Sequence, residues 1–135
     1  MSERGYIGKA KLIVEAALER NAEDPLTLEI RELTSFADAF VLLTGRSDRQ
    51  VRAIADAIEK RLKETGDPPI GIEGFGQGRW VLLDCGDVVV HVFESAVREL
   101  YALERLWSDA PVLDLGPLGP GTAAGENGPL KDTMP

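Results

Sequence analysis

The stretch Arg79–Phe93, RWVLLDCGDVVVHVF, decides how the rest of the chain is read. It holds two apolar runs, Trp80–Leu83 and Val88–Phe93, separated by Asp84-Cys85-Gly86-Asp87. β-Branched and aromatic runs on either side of a glycine-containing break predict a β-hairpin. With Cys85-Gly86 as a two-residue loop, Asp84 pairs with Asp87, Leu83 with Val88, Leu82 with Val89 and Trp80 with His91. Side chains alternate across a strand, so Val81, Leu83, Val88, Val90 and Val92 form one aliphatic face. Trp80, Leu82, Asp84, Asp87, Val89 and His91 form the other, a mixture suited to a partner surface and poor for a core. On this reading Trp80 and His91 share an outward side of the sheet. The weak point is Cys85, because the first loop position favours positive φ. A type I turn with a glycine bulge would slip the pairing by one and move Trp80 among the valines.

Working upstream, Gly74-Phe75-Gly76-Gln77-Gly78 reads as a flexible loop. Its glycine spacing is wrong for a dinucleotide loop, and a strand follows where a helix is required. Ile70 and Ile72 alternate with Gly71 and Glu73, a short strand. Ser47-Asp48-Arg49-Gln50 has the form of a capping box, with Gln50 reaching back to the Ser47 backbone. Val51, Ile54, Ala55, Ile58 and Leu62 follow as an amphipathic helical stripe, which Gly66 and Pro68-Pro69 end. Phe40–Leu43 is a buried strand, and Leu26, Leu28 and Ile30 mark a half-exposed one. Ala10, Ile13, Val14, Ala17 and Leu18 predict a helix over 8–21 that Asp24-Pro25 stops.

Downstream of Phe93, residues 94–107 read as a helix in two pieces. Val97, Leu100 and Tyr101 form one stripe, Leu103, Leu106 and Trp107 a second, with a bend near Ala102. Residues 116–135 hold five glycines and four prolines, which predicts a disordered tail behind a single domain over 1–115. The order α-β-β-α-β-β-β-α is that of an α/β protein: a mixed sheet of roughly five strands packed with helices, in which only the β-α-β segment needs a parallel crossover.

The 135 residues include 23 acidic and 15 basic ones, a net charge of −8. An acidic surface repels phosphate, which argues against tight nucleic-acid or anionic-membrane binding and favours a basic protein partner. No apolar run approaches the roughly 20 residues of a membrane span, and no signal-peptide pattern is seen. The single Cys85 cannot form an internal disulfide, which suits a reducing cytoplasm.

Little catalytic chemistry emerges. Gly45-Arg46-Ser47, after a strand and before a helix, resembles the Gly-Ser phosphate turn of nucleotidyltransferases. That chemistry requires carboxylates holding a divalent metal, and Asp84 and Asp87 flank a turn instead of standing two apart on one strand. Capping by Ser47 is the plainer reading. His91 is the only histidine, and no cysteine cluster accompanies it as a metal site would need. It is either a hydrogen-bonded structural residue or an interface residue. Cys85 has no basic sequence neighbour to lower its thiol pKa.

Ser35–Ser47 (SFADAFVLLTGRS), Arg49–Asp56 (RQVRAIAD), Glu73-Gly74, Arg79–Phe93 and Arg98–Pro111 (RELYALERLWSDAP) together resemble the ribosomal silencing factor family, the Iojap-like proteins. The likeness covers residues 8–114, and Trp-x3-Asp-x2-Asp-x3-His and Tyr-x-Leu-Glu-x-Leu-Trp are its specific arrangements. It departs from the family at Ala39, where an aromatic residue or cysteine is common, and at Ala96, where an acidic residue is usual. The resemblance implies a nucleotidyltransferase-like fold without the metal carboxylates, no enzyme activity and no cofactor. It implies binding to the large ribosomal subunit through large-subunit ribosomal protein fourteen. That blocks small-subunit joining and represses translation when nutrients are scarce, with a role in large-subunit assembly as the alternative. It also implies a homodimer away from the ribosome. The contact surface it implies is Trp80, Leu82, His91, Arg98 and Tyr101, joined by Glu73 and Asp84.

Overall fold

A computed structural model describes residues 5–101 and 108–116, with residues 99–101 described by backbone alone. The elements follow the expected order: α1 (Gly5–Leu18), β1 (Glu23–Glu29), β2 (Ala39–Gly45), α2 (Asp48–Glu64), β3 (Gly71–Glu73), β4 (Trp80–Asp84), β5 (Val88–Glu94) and α3 (Ser95–Tyr101). The bend near Ala102, the stripe ending at Trp107 and the tail beyond Gly116 lie outside the described residues.

The five strands form one sheet in the order β1-β2-β5-β4-β3. Only β2 and β5 are parallel neighbours; the other pairs are antiparallel. β2 and β3 therefore run in the same direction but stand apart. The α2 connection between them spans two strand positions, which the β4–β5 hairpin fills. β5 ends at the centre of the sheet and is buried on both sides from Val88 to Phe93. A strand enclosed in this way reads as an unbroken apolar run, as this one does.

The hairpin turns one residue later than expected. Cys85 N–H donates to the Val88 carbonyl at 3.0 Å, so Gly86-Asp87 is the loop, with Gly86 at φ +88°. Glycine at the first loop position is what a type II′ hairpin turn requires, and Cys85 is relieved of it. The pairing becomes Trp80 with Phe93, Leu82 with His91 and Asp84 with Val89. This is a slip of two along the partner strand, and a slip of two preserves the faces.

α1 and α2 cover the valine face. Val81, Leu83, Val88, Val90 and Val92 join Ala39, Val41 and Leu43 beneath Ala10, Ile13 and Val14 of α1 and Val51, Ile54, Ile58 and Leu62 of α2. α1 ends at Leu18, three residues short of the expected Asn21, and the stop lies at Asn21 and not at Asp24-Pro25. Asn21 takes φ +63°, and the N–H groups of Asn21 and Ala22 return to the carbonyls of Leu18 and Ala17. Pro25 instead lies inside β1, at a register shift between Glu23 and Leu26, where an edge strand tolerates a missing donor.

Ser47 caps α2 by accepting from Gln50 N–H at 3.1 Å. Gln50 does not reach back to Ser47. Its Oε1 accepts from Arg46 N–H at 2.6 Å, while Nε2 donates to the Arg20 and Asn21 carbonyls at 3.1 and 3.0 Å. That side chain ties the start of α2 to the end of α1. At the far end of α2, Gly66 and Asp67 N–H groups return to Lys63 and Leu62, closing the helix as expected.

One strand-like element went unforeseen. Glu29 N–H donates to the Pro111 carbonyl and Leu113 N–H to the Thr27 carbonyl, both at 2.8 Å, around a bridge between Leu28 and Val112. The segment after α3 thus covers the outer edge of β1, satisfying backbone groups that an edge strand leaves open. Among the described residues no helix is long and apolar enough to cross a membrane.

Candidate partner-binding face

The second face of the sheet is built from rows of directly opposed residues. One row crosses all five strands as Glu73, Leu82, His91, Leu42 and Leu26. The row beside it is Gly71, Asp84, Val89, Phe40 and Leu28; on the other flank Trp80, Phe93 and Thr44 stand side by side. Five expected contact residues, Glu73, Trp80, Leu82, Asp84 and His91, therefore share this face. α3 packs on its β5 and β2 part.

This face is a partial core. Leu28, Ile30, Phe40, Leu42, Val89, Phe93, Val97 and Ala110 bury together, with Leu26, Trp80 and Leu82 packed at their margin. The expectation that its composition is poor for a core is thus corrected. The β1-β2-β5 part is buried, because α3 and Ala110 seal it. On β4, Trp80, Leu82 and Asp84 stay partly exposed, and Glu73 on β3 is exposed.

His91 lies where the two parts meet, 5% exposed, not outward. Its ring packs edge-on to Phe40 at 4.8 Å between centroids and parallel to Phe93 at 5.9 Å. Trp80 Nε1–H donates to His91 Nδ1 at 3.2 Å. An indole only donates, so Nδ1 is unprotonated and the ring proton sits on Nε2. Nε2 is buried with no hydrogen-bond partner among the described residues. Burial pushes the imidazole pKa down to about 4, so the ring is neutral at physiological pH. The Trp80 indole also lies against Phe93, at 5.1 Å between centroids.

Arg98 projects to the β1–β2 end of this face. Its Nη1 donates to the Asp24 carbonyl at 2.8 Å and to Thr44 Oγ1 at 2.7 Å, clamping α3 to the sheet. Tyr101 closes the described part of α3, and its side chain lies outside the described residues. The sequence reading passed over Phe93, whose parity puts it beside Trp80 and His91. It also passed over Phe36, which is 61% exposed with its ring 6.1 Å from Phe40.

The residues weighed for catalysis do not converge. Ser47 is spent on the α2 cap. Asp84 accepts from Gly86 N–H at 3.0 Å, while Asp87 is drawn toward α1 by Lys9 Nζ at 2.9 Å, away from the face assigned to it above. Cys85 is buried, not displayed on the turn. Lys9 does approach it, bonding its carbonyl at 2.8 Å, but burial outweighs that charge and pushes the thiol up to about 12. A thiol so placed is a poor nucleophile.

Fold and face define an α/β domain with one side finished by helices and the other half-covered and rich in aromatic rings. A family model described as "Ribosomal silencing factor during starvation" matches residues 4–132. The chain is 46% identical to the ribosomal silencing factor RsfS of Bacillus subtilis, over 78% of this chain and 89% of that protein. It superposes on a crystal structure of a Chromobacterium violaceum protein with TM-score 0.74 and 42% identity, covering 79% of this chain and 88% of the other. It is also 31% identical to the mouse protein "Mitochondrial assembly of ribosomal large subunit protein 1", over 72% of this chain and 44% of that longer protein. The chain belongs to the ribosomal silencing factor family.

Proposed function

We propose that this protein is a non-enzymatic docking domain that binds large-subunit ribosomal protein fourteen and blocks joining of the small subunit. The carrying observation is that, among the described residues, the β3–β4 half of the second sheet face leaves Trp80, Leu82 and Asp84 partly exposed and Glu73 exposed. The valine face is consumed by α1 and α2, so this half remains for a partner. A partly buried indole with Leu82, and with the carboxylates of Glu73 and Asp84 further along the same face, has the composition of an interface anchor with a polar rim. The net charge of −8 favours a basic ribosomal protein. Arg98 and Tyr101 of α3 border the same contact. The protein acts in the cytoplasm under nutrient limitation, and self-association through this face stores it away from the ribosome.

The test is subunit joining on sucrose gradients with purified protein. Added wild-type protein keeps subunits apart. Trp80→Ala and Tyr101→Ala, folded by circular dichroism, each lose about 2 kcal/mol of large-subunit affinity or more, and higher concentrations are needed for the same effect. Wild-type affinity in both variants refutes the anchor assignment, and unimpeded joining with wild-type protein refutes the mechanism. The likeness to the mouse assembly protein favours a second reading, in which the same face engages immature large subunits. Co-sedimentation with precursor particles instead of mature subunits distinguishes it.

A further inference from the structure

We propose that His91 is a positioning residue: buried beneath the docking face, it fixes the Trp80 indole in its binding orientation without touching the partner. The inference rests on the docking role of Trp80. Three observations carry it. His91 is held on the central strand β5, between the Phe40 and Phe93 rings, and its 5% exposure leaves no surface for a partner to reach. Its Nδ1 accepts the indole proton at 3.2 Å across the β4–β5 pairing, fixing the outward tryptophan to the central strand of the sheet. Its Nε2 has no hydrogen-bond partner among the described residues, which is unfavourable for a buried donor.

The third observation separates a positioning role from a structural one. A histidine kept for stability would satisfy both nitrogens. Here one nitrogen is satisfied, and it is the one facing the tryptophan. An aliphatic residue of similar reach would pack among Phe40, Leu42 and Phe93 with no stranded donor. What it would lose is the acceptor that restrains the indole. An anchor already held in its bound rotamer avoids an ordering cost on association, and that is the gain ascribed to His91.

The test uses the full chain with two substitutions. His91→Leu removes the acceptor while keeping apolar volume; His91→Asn places a carbonyl oxygen near the former Nδ1. The Trp80 indole N–H is followed by proton–nitrogen NMR, assigned by its loss in Trp80→Phe, and large-subunit affinity is measured by co-sedimentation. In His91→Leu the melting temperature holds or rises, the indole resonance moves to the position of a water-bonded indole, and affinity falls about tenfold. His91→Asn restores the resonance and most of the affinity, even if it melts lower. The inference is overturned if His91→Leu binds like the wild type, or if affinity falls only in step with stability and His91→Asn rescues nothing. Wild-type protein that fails to co-sediment overturns the docking reading, and this inference with it; the indole resonance still reports the Trp80–His91 bond.

Discussion

His91 is the residue whose environment has the clearest consequence for stability. Burial holds its folded pKa at about 4, below the ordinary value of 6.5. Between these values the unfolded chain binds a proton that the folded chain refuses, so unfolding takes up protons and stability rises with pH. The contribution is complete above pH 6.5 and is lost as pH falls toward 4. A difference of that size corresponds to roughly 3 kcal/mol. Urea titrations from pH 7 to 4 should therefore show wild-type stability falling more steeply than that of His91→Asn, which has no imidazole to protonate. Parallel slopes would mean that the ring accepts its proton without disturbing the fold. Sequence located this histidine on the right face beside the right tryptophan. It did not reveal the burial, which depends on α3 and Ala110 covering that part of the sheet.

Between the short strand β3 and the hairpin, three glycines that look alike in sequence differ in place. Gly76 has open space where a Cβ would sit, whereas Gly78 is at φ +69° with Asp48 O at 2.9 Å and Arg52 Nη1 at 2.6 Å from that point. Gly78 is where the loop presses on the first turn of α2, and Gly78 N–H closes the loop onto the Gly74 carbonyl at 3.1 Å. The loop is thus braced, although its composition predicted flexibility. Gly78→Ala should cost about 2 kcal/mol, since strained φ and a close approach act together. Gly76→Ala should change stability by less than about 0.5 kcal/mol. Thermal melts of the two variants decide it, and equal effects would refute the distinction. Element types and order were legible because each depends on local periodicity. The segment pairing with β1 through Leu28 and Val112 was not, because a single bridge leaves no pattern in sequence.

Across the whole molecule, Lys9 joins parts that are distant in the chain. Its Nζ meets Asp67 after α2 and Asp87 in the hairpin turn, each at 2.9 Å, and the Cys85 carbonyl at 2.8 Å. The Lys9 side chain is 16% exposed. Burial works against its charge, but the bonds to Asp67 and Asp87 outweigh it and raise its pKa. The raised value means the stabilisation is present below the ordinary lysine pKa and is lost as pH rises through the folded value. Lys9→Met should destabilise the fold by about 1–2 kcal/mol in neutral urea titrations, a figure reduced because both carboxylates are partly exposed. No measurable loss would show the three groups to be equally well satisfied by water.

The sequence by itself determined which residues lie together on each face of the sheet. Alternation has a period of two, so the faces of the hairpin strands stayed correct although the turn moved from Cys85-Gly86 to Gly86-Asp87, and only Asp87, taken into the turn, left the face expected of it. It also determined the α2 stripe and its Ser47 cap, which are set within a few residues. Tertiary structure alone decided the strand order, with the hairpin inserted between β2 and β3, and so made β5 central. It also decided which half of the second face α3 would seal, leaving Trp80 at the margin and His91 beneath. These are outcomes of non-local packing, in which elements compete to bury apolar area, and local periodicity carries no record of which of them meet.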